Sequence, residues 1–230
     1  MTLDRKRYLE LIEARITNPL SLQKALKKRV RRSVAGKDGK LMLLAADHTA
    51  RGIIAAGNNP TAIADRYILL DKLIRGLAVS GVDGVMASAD ILEELAWLGA
   101  LEEKVAIGTM NRGGIIGASW ELDDRLTAYD AEHIKSMGLD GGKTLLRIDE
   151  SDPGVARTIE MVAQVTTQLA DLELVSMIEP LPYMKNADGR AILDPSEEKL
   201  IKVVSIASGR GSSSAYTWLK IPAPTNPEKV

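Results

Sequence analysis

From residue 41 onwards, short apolar runs of strand length alternate with longer segments of helical periodicity. The helical segments place apolar side chains at three- and four-residue spacing, as Leu69, Leu73 and Leu77 do. Short apolar strands separated by helices are typical of parallel β/α units whose strands are buried on both faces. The predicted strands are 41–46, 84–87, 105–110, 144–148, 174–178 and 216–221, and the predicted helices between them are 61–80, 89–98, 123–137, 155–172 and 195–207.

Two further helices are predicted before this region, at about 4–15 and 21–34. No low-complexity segment or long linker interrupts the β/α pattern that follows. We therefore predict an N-terminal helical segment, 1–40, and one catalytic domain, 41–230, of about six β/α units.

Polar residues cluster directly after the predicted strands or at their ends. In parallel α/β folds the active site lies at the C-terminal ends of the strands. An open doubly wound sheet uses few strand ends near one switch point, so five contributing ends favour a closed (β/α) barrel. The polar residues at these ends are Asp47, His48, Asn111, Arg112, Arg147, Asp149, Glu179 and Lys220.

Lys220 lies in an apolar, strand-like run that stops at Pro222. Burial lowers the pKa of a lysine, and a neutral amine is what an imine-forming lysine needs. The alternative is a strand-end lysine whose stem packs while its ammonium group reaches water.

The predicted fourth strand carries a second group of charges. Because side chains alternate along a strand, Lys143, Leu145, Arg147 and Asp149 share one face. Either these residues form an internal ladder of ion pairs, or they belong to a catalytic site, since ion-pair networks and active sites have similar signatures.

The composition limits the chemistry and the partners. The chain has no cysteine and only two histidines, His48 and His133, which disfavours a zinc site; a carboxylate-only magnesium site at Asp47, Asp149 and Glu179 is an alternative. The formal net charge of −1 gives no support to a nucleic-acid partner, and no apolar run approaches the length of a membrane helix. We expect a cytoplasmic protein without metal or cofactor that binds neither nucleic acid nor membrane.

Four segments, in this order, resemble the strand motifs of class I aldolases, a group that includes fructose- and tagatose-bisphosphate aldolases and deoxyribose-phosphate aldolase. The resemblance implies a TIM barrel, a covalent imine intermediate and a sugar or sugar-phosphate substrate. The segments are Leu43-Leu44-Ala45-Ala46-Asp47 with Gly52-Ile53, Gly141-Gly142-Lys143, Ser176-Met177-Ile178-Glu179-Pro180 and Trp218-Leu219-Lys220-Ile221-Pro222.

On this resemblance, Lys220 forms the imine and Lys143 helps to keep it neutral. Glu179 shuttles protons, and Asp47 binds substrate hydroxyls. We expect the remaining strand-end residues to bind substrate, although the resemblance assigns no role to His48; they are Arg147, Asp149, Asn111, Arg112 and His48. We also expect a homo-oligomer.

A TIM barrel has eight strands, whereas six are predicted here. We therefore expect this chain to lack the last two β/α units, which usually supply the phosphate site, and to be part of a longer chain or to be completed by a partner. Two other functions fit the same pattern: a metal-assisted sugar-phosphate isomerase or epimerase, and a non-catalytic sugar-phosphate-binding protein.

Overall fold

The computed structural model describes residues 2–36 and 38–230 and shows an α/β fold. The chain forms two compact units. The first comprises residues 1–109 and 133–140, and the second comprises residues 110–132 and 141–230. The division into a segment 1–40 and a catalytic domain 41–230 stays a prediction.

The first unit begins with α1 (Arg5–Thr17) and α2 (Leu20–Lys28). Asp4 caps α1, since its side chain accepts a hydrogen bond from the Lys6 N–H. The second predicted helix is too long, because α2 ends at Lys28 and Arg29 adopts an extended conformation.

The early end of α2 is explained by a buried ion pair. The Arg29 guanidinium lies 2.7 Å from Asp140, and both side chains are only 1% exposed. Arg29 also donates to the Lys104 and Gly138 carbonyls at 2.7 and 2.9 Å. Arg31 pairs with the other oxygen of Asp140 at 2.8 Å. The basic residues Arg29 and Arg31 therefore lie in an extended segment and attach it to Asp140, and they do not continue the helix.

The sheet of the first unit contains three parallel strands: β1 (Leu43–Ala46), β2 (Gly84–Ala87) and β3 (Val105–Thr109). A single-turn 3₁₀ helix follows β1 (His48–Arg51), and the unit also contains α3 (Arg66–Leu77) and α4 (Ala89–Trp97). Gly84 is required for close strand pairing, because a Cβ atom there would collide with the backbone of Val105.

The second unit is built on β4 (Gly141–Ile148), β5 (Val175–Lys185) and β7 (Thr217–Leu219), which pair in parallel. Its long helices are α6 (Val155–Asp171) and α7 (Glu197–Ser208), and a 3₁₀ turn (Pro227–Lys229) lies near the C-terminus. The buried core between strands and helices consists of Leu146, Ile148, Val155, Val162, Ile178, Leu200, Val203 and Ala207.

Two further elements differ from the prediction. The fifth predicted strand is too short, since β5 continues to Lys185 and pairs antiparallel with β6 (Ala191–Leu193). Asn186 closes this hairpin by accepting hydrogen bonds from the N–H groups of Asp188 and Arg190. The helix predicted from residue 123 begins only at Ala131, as α5 (Ala131–Ser136).

No helix within residues 2–36 and 38–230 has both the length and the apolar character that a membrane crossing requires.

We expect Asp140→Ala to lower the free energy of unfolding by roughly 3–5 kcal/mol, because it leaves the buried Arg29 charge uncompensated. Urea unfolding at pH 7 measures this effect. The exposed Asp188→Ala serves as the control and should change the stability little. Equal effects of the two substitutions would show that the Arg29–Asp140 pair does not hold the N-terminal segment.

Candidate active site

One carboxylate in the second unit contacts two lysines. Glu179, on β5, forms ion pairs with the ammonium groups of both Lys143 and Lys220. The sheet register explains this arrangement. Glu179 lies opposite Leu145 of β4, so Lys143 is one same-face position earlier, within reach of a long side chain. On the other side, Ile178 pairs with Leu219, and continuing that register brings Lys220 beside Glu179.

The two lysines differ in accessibility. The side chain of Lys143 is 0% exposed, whereas that of Lys220 is 39% exposed. Of the two interpretations of Lys220, this exposure favours the strand-end lysine whose ammonium group reaches water, and the buried lysine is Lys143. The strand of Lys220 is only half-buried, whereas every residue of β4 is buried. Lys220 follows the last residue of β7, and its N–H donates to the Ile178 carbonyl at 2.9 Å.

The burial of Lys143 changes its protonation. Burial lowers the pKa of Lys143 from 10.5 to about 7, because the nearby cations of Arg112 and Lys220 add to the desolvation and Glu179 offsets only part of it. Burial by itself raises the pKa of Glu179, but the attraction of Lys143 and Lys220 outweighs it and lowers that pKa to about 2. The site thus holds a carboxylate and a lysine that loses its proton near neutral pH.

Arg112 adds a further buried cation. It follows β3 in sequence and belongs to the second unit, and the whole residue is 7% exposed. Burial lowers its pKa to about 10, although Glu179 and Asp124 favour the charged form. Its backbone N–H donates to the Thr127 hydroxyl at 2.8 Å.

Arg147 is bound by acidic residues of the second unit, and its binding of substrate stays a prediction. Its side chain is 0% exposed, and its Nε and Nη2 atoms donate to the two carboxylate oxygens of Asp124 at 2.8 Å each. It also contacts Glu121 and lies over the Tyr183 ring, 5.2 Å from the centroid. These contacts favour a role in holding the loop that carries Asp124.

Asn111 also binds the protein chain. Its side-chain amide donates to the Leu145 carbonyl at 2.7 Å and accepts from the Leu145 N–H at 2.6 Å. The same amide nitrogen donates to the Asp124 carbonyl at 3.0 Å. Asn111 therefore pairs with β4 as a neighbouring strand residue would, and it holds the same loop as Arg147.

Asp149 has one buried carboxylate oxygen without a described hydrogen-bond donor. Its Oδ1 atom accepts hydrogen bonds from the N–H and hydroxyl of Ser151 at 2.9 and 2.7 Å. Its Oδ2 atom is buried and accepts no hydrogen bond from the residues that the structure describes. A buried carboxylate oxygen of this kind is suited to a substrate hydroxyl.

Asp47 and His48 lie in the first unit. Asp47 is fully buried and accepts a hydrogen bond from the Thr109 hydroxyl at 3.1 Å. His48 is adjacent to it, with its Nδ1 atom 4.0 Å from Asp47 Oδ1. Their participation with the lysines of the second unit stays a prediction.

Asp124 is not among the site residues predicted from the sequence. It is fully buried, yet it occurs in the polar stretch Glu121 to Arg125 that is typical of an exposed helix start. One signal was available: Gly113 and Gly114 directly follow Asn111 and Arg112. A Cβ atom at Gly114 would collide with Arg147 and the Glu121 carbonyl, so this glycine marks a close approach.

A cavity of about 1050 Å³ adjoins this loop in the second unit. It is lined by residues 116–123, the start of α6, Tyr183 and β6. Glu121 and Tyr183 line the cavity and also contact Arg147, so the buried guanidinium forms part of the support beneath it.

Over the described ranges 2–36 and 38–230, no group of three or more histidine, aspartate or glutamate side chains has an arrangement that could hold a metal ion. The magnesium alternative named Asp47, Asp149 and Glu179, and these three do not form such a group.

Comparison with known proteins finds a family and a solved structure to which this chain is similar. A family model described as Cgl0159-like matches residues 39–230. The crystal structure of Cgl0159 from Corynebacterium glutamicum is 40% identical, with a TM-score of 0.96, over 99% of this chain and 77% of that chain. A comparison with curated proteins found no match.

Two aldolase structures share the fold at low identity. An archaeal fructose 1,6-bisphosphate aldolase is 18% identical, with a TM-score of 0.61, over 90% of this chain and 73% of that chain. A Schiff-base-forming fructose-1,6-bisphosphate aldolase is 17% identical, with a TM-score of 0.54, over 90% and 84% of the two chains. The predicted resemblance to class I aldolases is thus confirmed at the level of the fold.

The shifted groups give the stability of the protein a defined pH dependence. The pKa of Glu179 falls from 4.5 to about 2 on folding, so its carboxylate stabilises the fold above pH 4.5, and this contribution is lost as the pH falls toward 2. The pKa of Lys143 falls from 10.5 to about 7, so burying its ammonium destabilises the fold below pH 7. That penalty disappears as the pH rises toward 10.5.

We therefore expect the free energy of unfolding of the wild type to rise relative to that of Lys143→Met between pH 7 and 10.5. Urea unfolding at several pH values measures the difference. Lys199→Met, which removes an exposed lysine, should show a constant difference over the same range. A constant difference for Lys143→Met as well would contradict the lowered pKa.

Proposed function

The chain belongs to the Cgl0159-like family, and we propose that it is an aldehyde-lyase of the class I aldolase type, acting on a sugar or sugar phosphate. The observation that carries this proposal is the shared carboxylate of Glu179, which contacts both Lys143 and Lys220. Such a group supplies an amine nucleophile, a proton carrier and a proton acceptor within one cluster. The proposal includes a TIM-type (β/α) barrel, and six of its eight expected units were predicted from this sequence.

Lys220 is the imine-forming residue in this proposal. Accessibility supports the choice, because a substrate carbonyl can approach an amine that is 39% exposed but not one that is 0% exposed. The Lys220 nitrogen attacks the carbonyl carbon, and the carbinolamine then loses water to give the iminium ion. The β-hydroxyl of the substrate gives its proton to Glu179 and becomes the carbonyl of the released aldehyde, while the iminium accepts the electron pair of the breaking C–C bond and an enamine remains on Lys220. The same proton then adds to the enamine carbon, and hydrolysis of the iminium releases the second product and frees Lys220.

Proton transfer falls to Glu179 and Lys143. Lys220 must lose a proton before it attacks, and Glu179 contacts both ammonium groups. Lys143 is the acceptor for that proton, since its pKa of about 7 leaves much of it neutral near pH 7. When the carbinolamine loses water, Glu179 relays this proton from Lys143 to the departing hydroxyl.

The remaining polar residues fall into two groups: those proposed to bind substrate, and those whose polar atoms hold the loop. Asp149 binds a substrate hydroxyl through its Oδ2 atom, which requires that this buried atom becomes accessible when substrate enters. Arg112 binds an anionic or hydroxyl oxygen beside Glu179. Asp47 binds a substrate hydroxyl, and His48 is a further candidate beside it. Asn111 and Arg147 support the loop and do not contact substrate.

Borohydride reduction in the presence of a panel of sugar phosphates, small aldehydes and ketones tests the imine. We expect a stable adduct on Lys220 in the wild type and none in Lys220→Met, with the modified peptide identified by mass. Lys143→Met should still form the adduct, but slower by about 10²- to 10⁴-fold, because it lacks the proton acceptor. Lys199→Met should react as the wild type does. An adduct on Lys143, or none on any lysine, would remove the assignment.

Turnover should persist after treatment with a chelator. The expectation rests on the imine mechanism, in which the lysine supplies the electron sink that a metal ion supplies in metal-dependent enzymes. Activity of the chelated protein on the substrate found by borohydride trapping is the measurement. Loss of turnover that added magnesium or zinc restores would favour the metal-assisted isomerase or epimerase instead.

A further inference from the structure

The segment that follows β3 is closed into a loop at its base. The Met110 carbonyl accepts hydrogen bonds from the N–H groups of Thr127 and Ala128 at 3.0 and 3.1 Å. The Met110 N–H donates to the Lys143 carbonyl at 2.9 Å. We call residues 110–128 the clamped loop. Its base is therefore attached to the backbone of the buried lysine itself.

The carboxylate of Asp124 attaches the middle of the clamped loop to Arg147, which also contacts Glu121 of the same loop. Asp124 receives two hydrogen bonds from Arg147 at 2.8 Å, and both side chains are fully buried. The backbone carbonyl of Asp124 accepts a hydrogen bond from the side-chain amide of Asn111 at 3.0 Å. Asp124 thus connects the loop to β4 through Arg147 and connects the two limbs of the loop through Asn111. Gly114 packs against the same pair, where no Cβ atom would fit.

The residue that these contacts constrain is Arg112. It lies between Asn111, which is fixed on Leu145, and Gly114, which is fixed against Arg147. Its own N–H is held by Thr127 across the loop. The charges facing Lys143 are Glu179 from β5, Lys220 after β7 and Arg112 from the clamped loop.

We propose that Asp124 is a positioning residue whose carboxylate, through Arg147, holds the clamped loop and with it Arg112 beside Glu179 and Lys143. Its importance for the reaction rests on the proposed function, whereas the positioning itself does not. The tip of the loop is exposed and apolar, with Ile116 52% and Trp120 56% exposed, so the buried Arg147–Asp124 pair, rather than core packing of the tip, fixes the loop.

The pKa of Lys143 depends on whether Arg112 lies nearby. The direction in which this pKa changes in Asp124→Asn therefore shows whether Arg112 has moved away or has stayed in place. If Asp124→Asn releases Arg112, a cation leaves the surroundings of Lys143, and the pKa of Lys143 rises from about 7 toward 10.5. If Arg112 stays in place, the substitution only removes a negative charge, and the pKa of Lys143 falls or stays constant. Loosening of the loop that admits water to Lys143 also raises this pKa, so Asp124→Asn is also made in the Arg112→Gln background. A rise that persists in full there would show that Asp124 does not act through Arg112.

The experiment is NMR titration of the full chain labelled at the lysine side chains, with Lys143→Met to assign the signal. We expect a raised pKa of Lys143 in Asp124→Asn, a value near that of the wild type in Asp124→Glu, and no change in Asp123→Asn. Asp123 is the matched control, since it lies in the same loop and pairs only with the exposed Arg125 among the charges described. An unchanged or lowered pKa in a folded Asp124→Asn would overturn the proposal.

A second variant covers the case in which Asp124→Asn fails to fold. Arg112→Gln removes the cation directly and leaves the Arg147–Asp124 pair intact, so the pKa of Lys143 should rise in this variant as well. An unchanged pKa would show that Arg112 does not act on Lys143 and would also overturn the proposal. These titrations need no substrate, whereas the absence of a borohydride adduct in the wild type would contradict the proposed function alone.

Discussion

The ion pair between Lys143 and Glu179 is the interaction on which the second unit depends. A fully buried ammonium group in the middle of a buried strand is stable only with a compensating charge. Glu179 supplies that charge from the neighbouring strand and holds Lys220 with the same carboxylate. Because one carboxylate serves two cations, the position of each lysine depends on the other. Burial then outweighs this attraction for Lys143, so a lysine that titrates near pH 7 results.

The proximity of Lys143, Glu179 and Lys220 could be predicted from the sequence, because it follows from the alternation of strands and helices along the chain. Alternating apolar runs and helices predict parallel strands, and the C-terminal ends of parallel strands lie at one edge. The lysine motifs at Lys143 and Lys220 and the carboxylate motif at Glu179 lie at such positions, and the register of β4, β5 and β7 brings them together. The accessibility of the two lysines could not be predicted, since it depends on which strand has neighbours on both sides.

The parts that were missed depend on contacts between distant residues. The predicted helix 21–34 failed because Arg29 leaves the helix to pair with Asp140, more than a hundred residues later, as the sequence separation of 111 shows. The hairpin of β5 and β6 follows a strand that continues through two prolines, Pro180 and Pro182, which normally argue against a strand. Asp124 sits among exposed-looking charges, and only its pairing with Arg147 reveals that it is buried.

Asn111 and Arg147 show why polar strand ends alone cannot identify substrate-binding residues. A loop that leaves a buried strand carries backbone groups that must be hydrogen-bonded, and polar side chains at the strand end can satisfy them. Asn111 does so for Leu145, and Arg147 fixes the acidic stretch around Asp124. The same residue types would bind a sugar. The distinction lies in whether their polar atoms are already occupied: those of Arg147 are, whereas Asp149 keeps a buried oxygen without a described donor. Residues such as Asn111 and Arg147, which hydrogen-bond other parts of the protein, therefore fix the backbone that positions the substrate-binding residues.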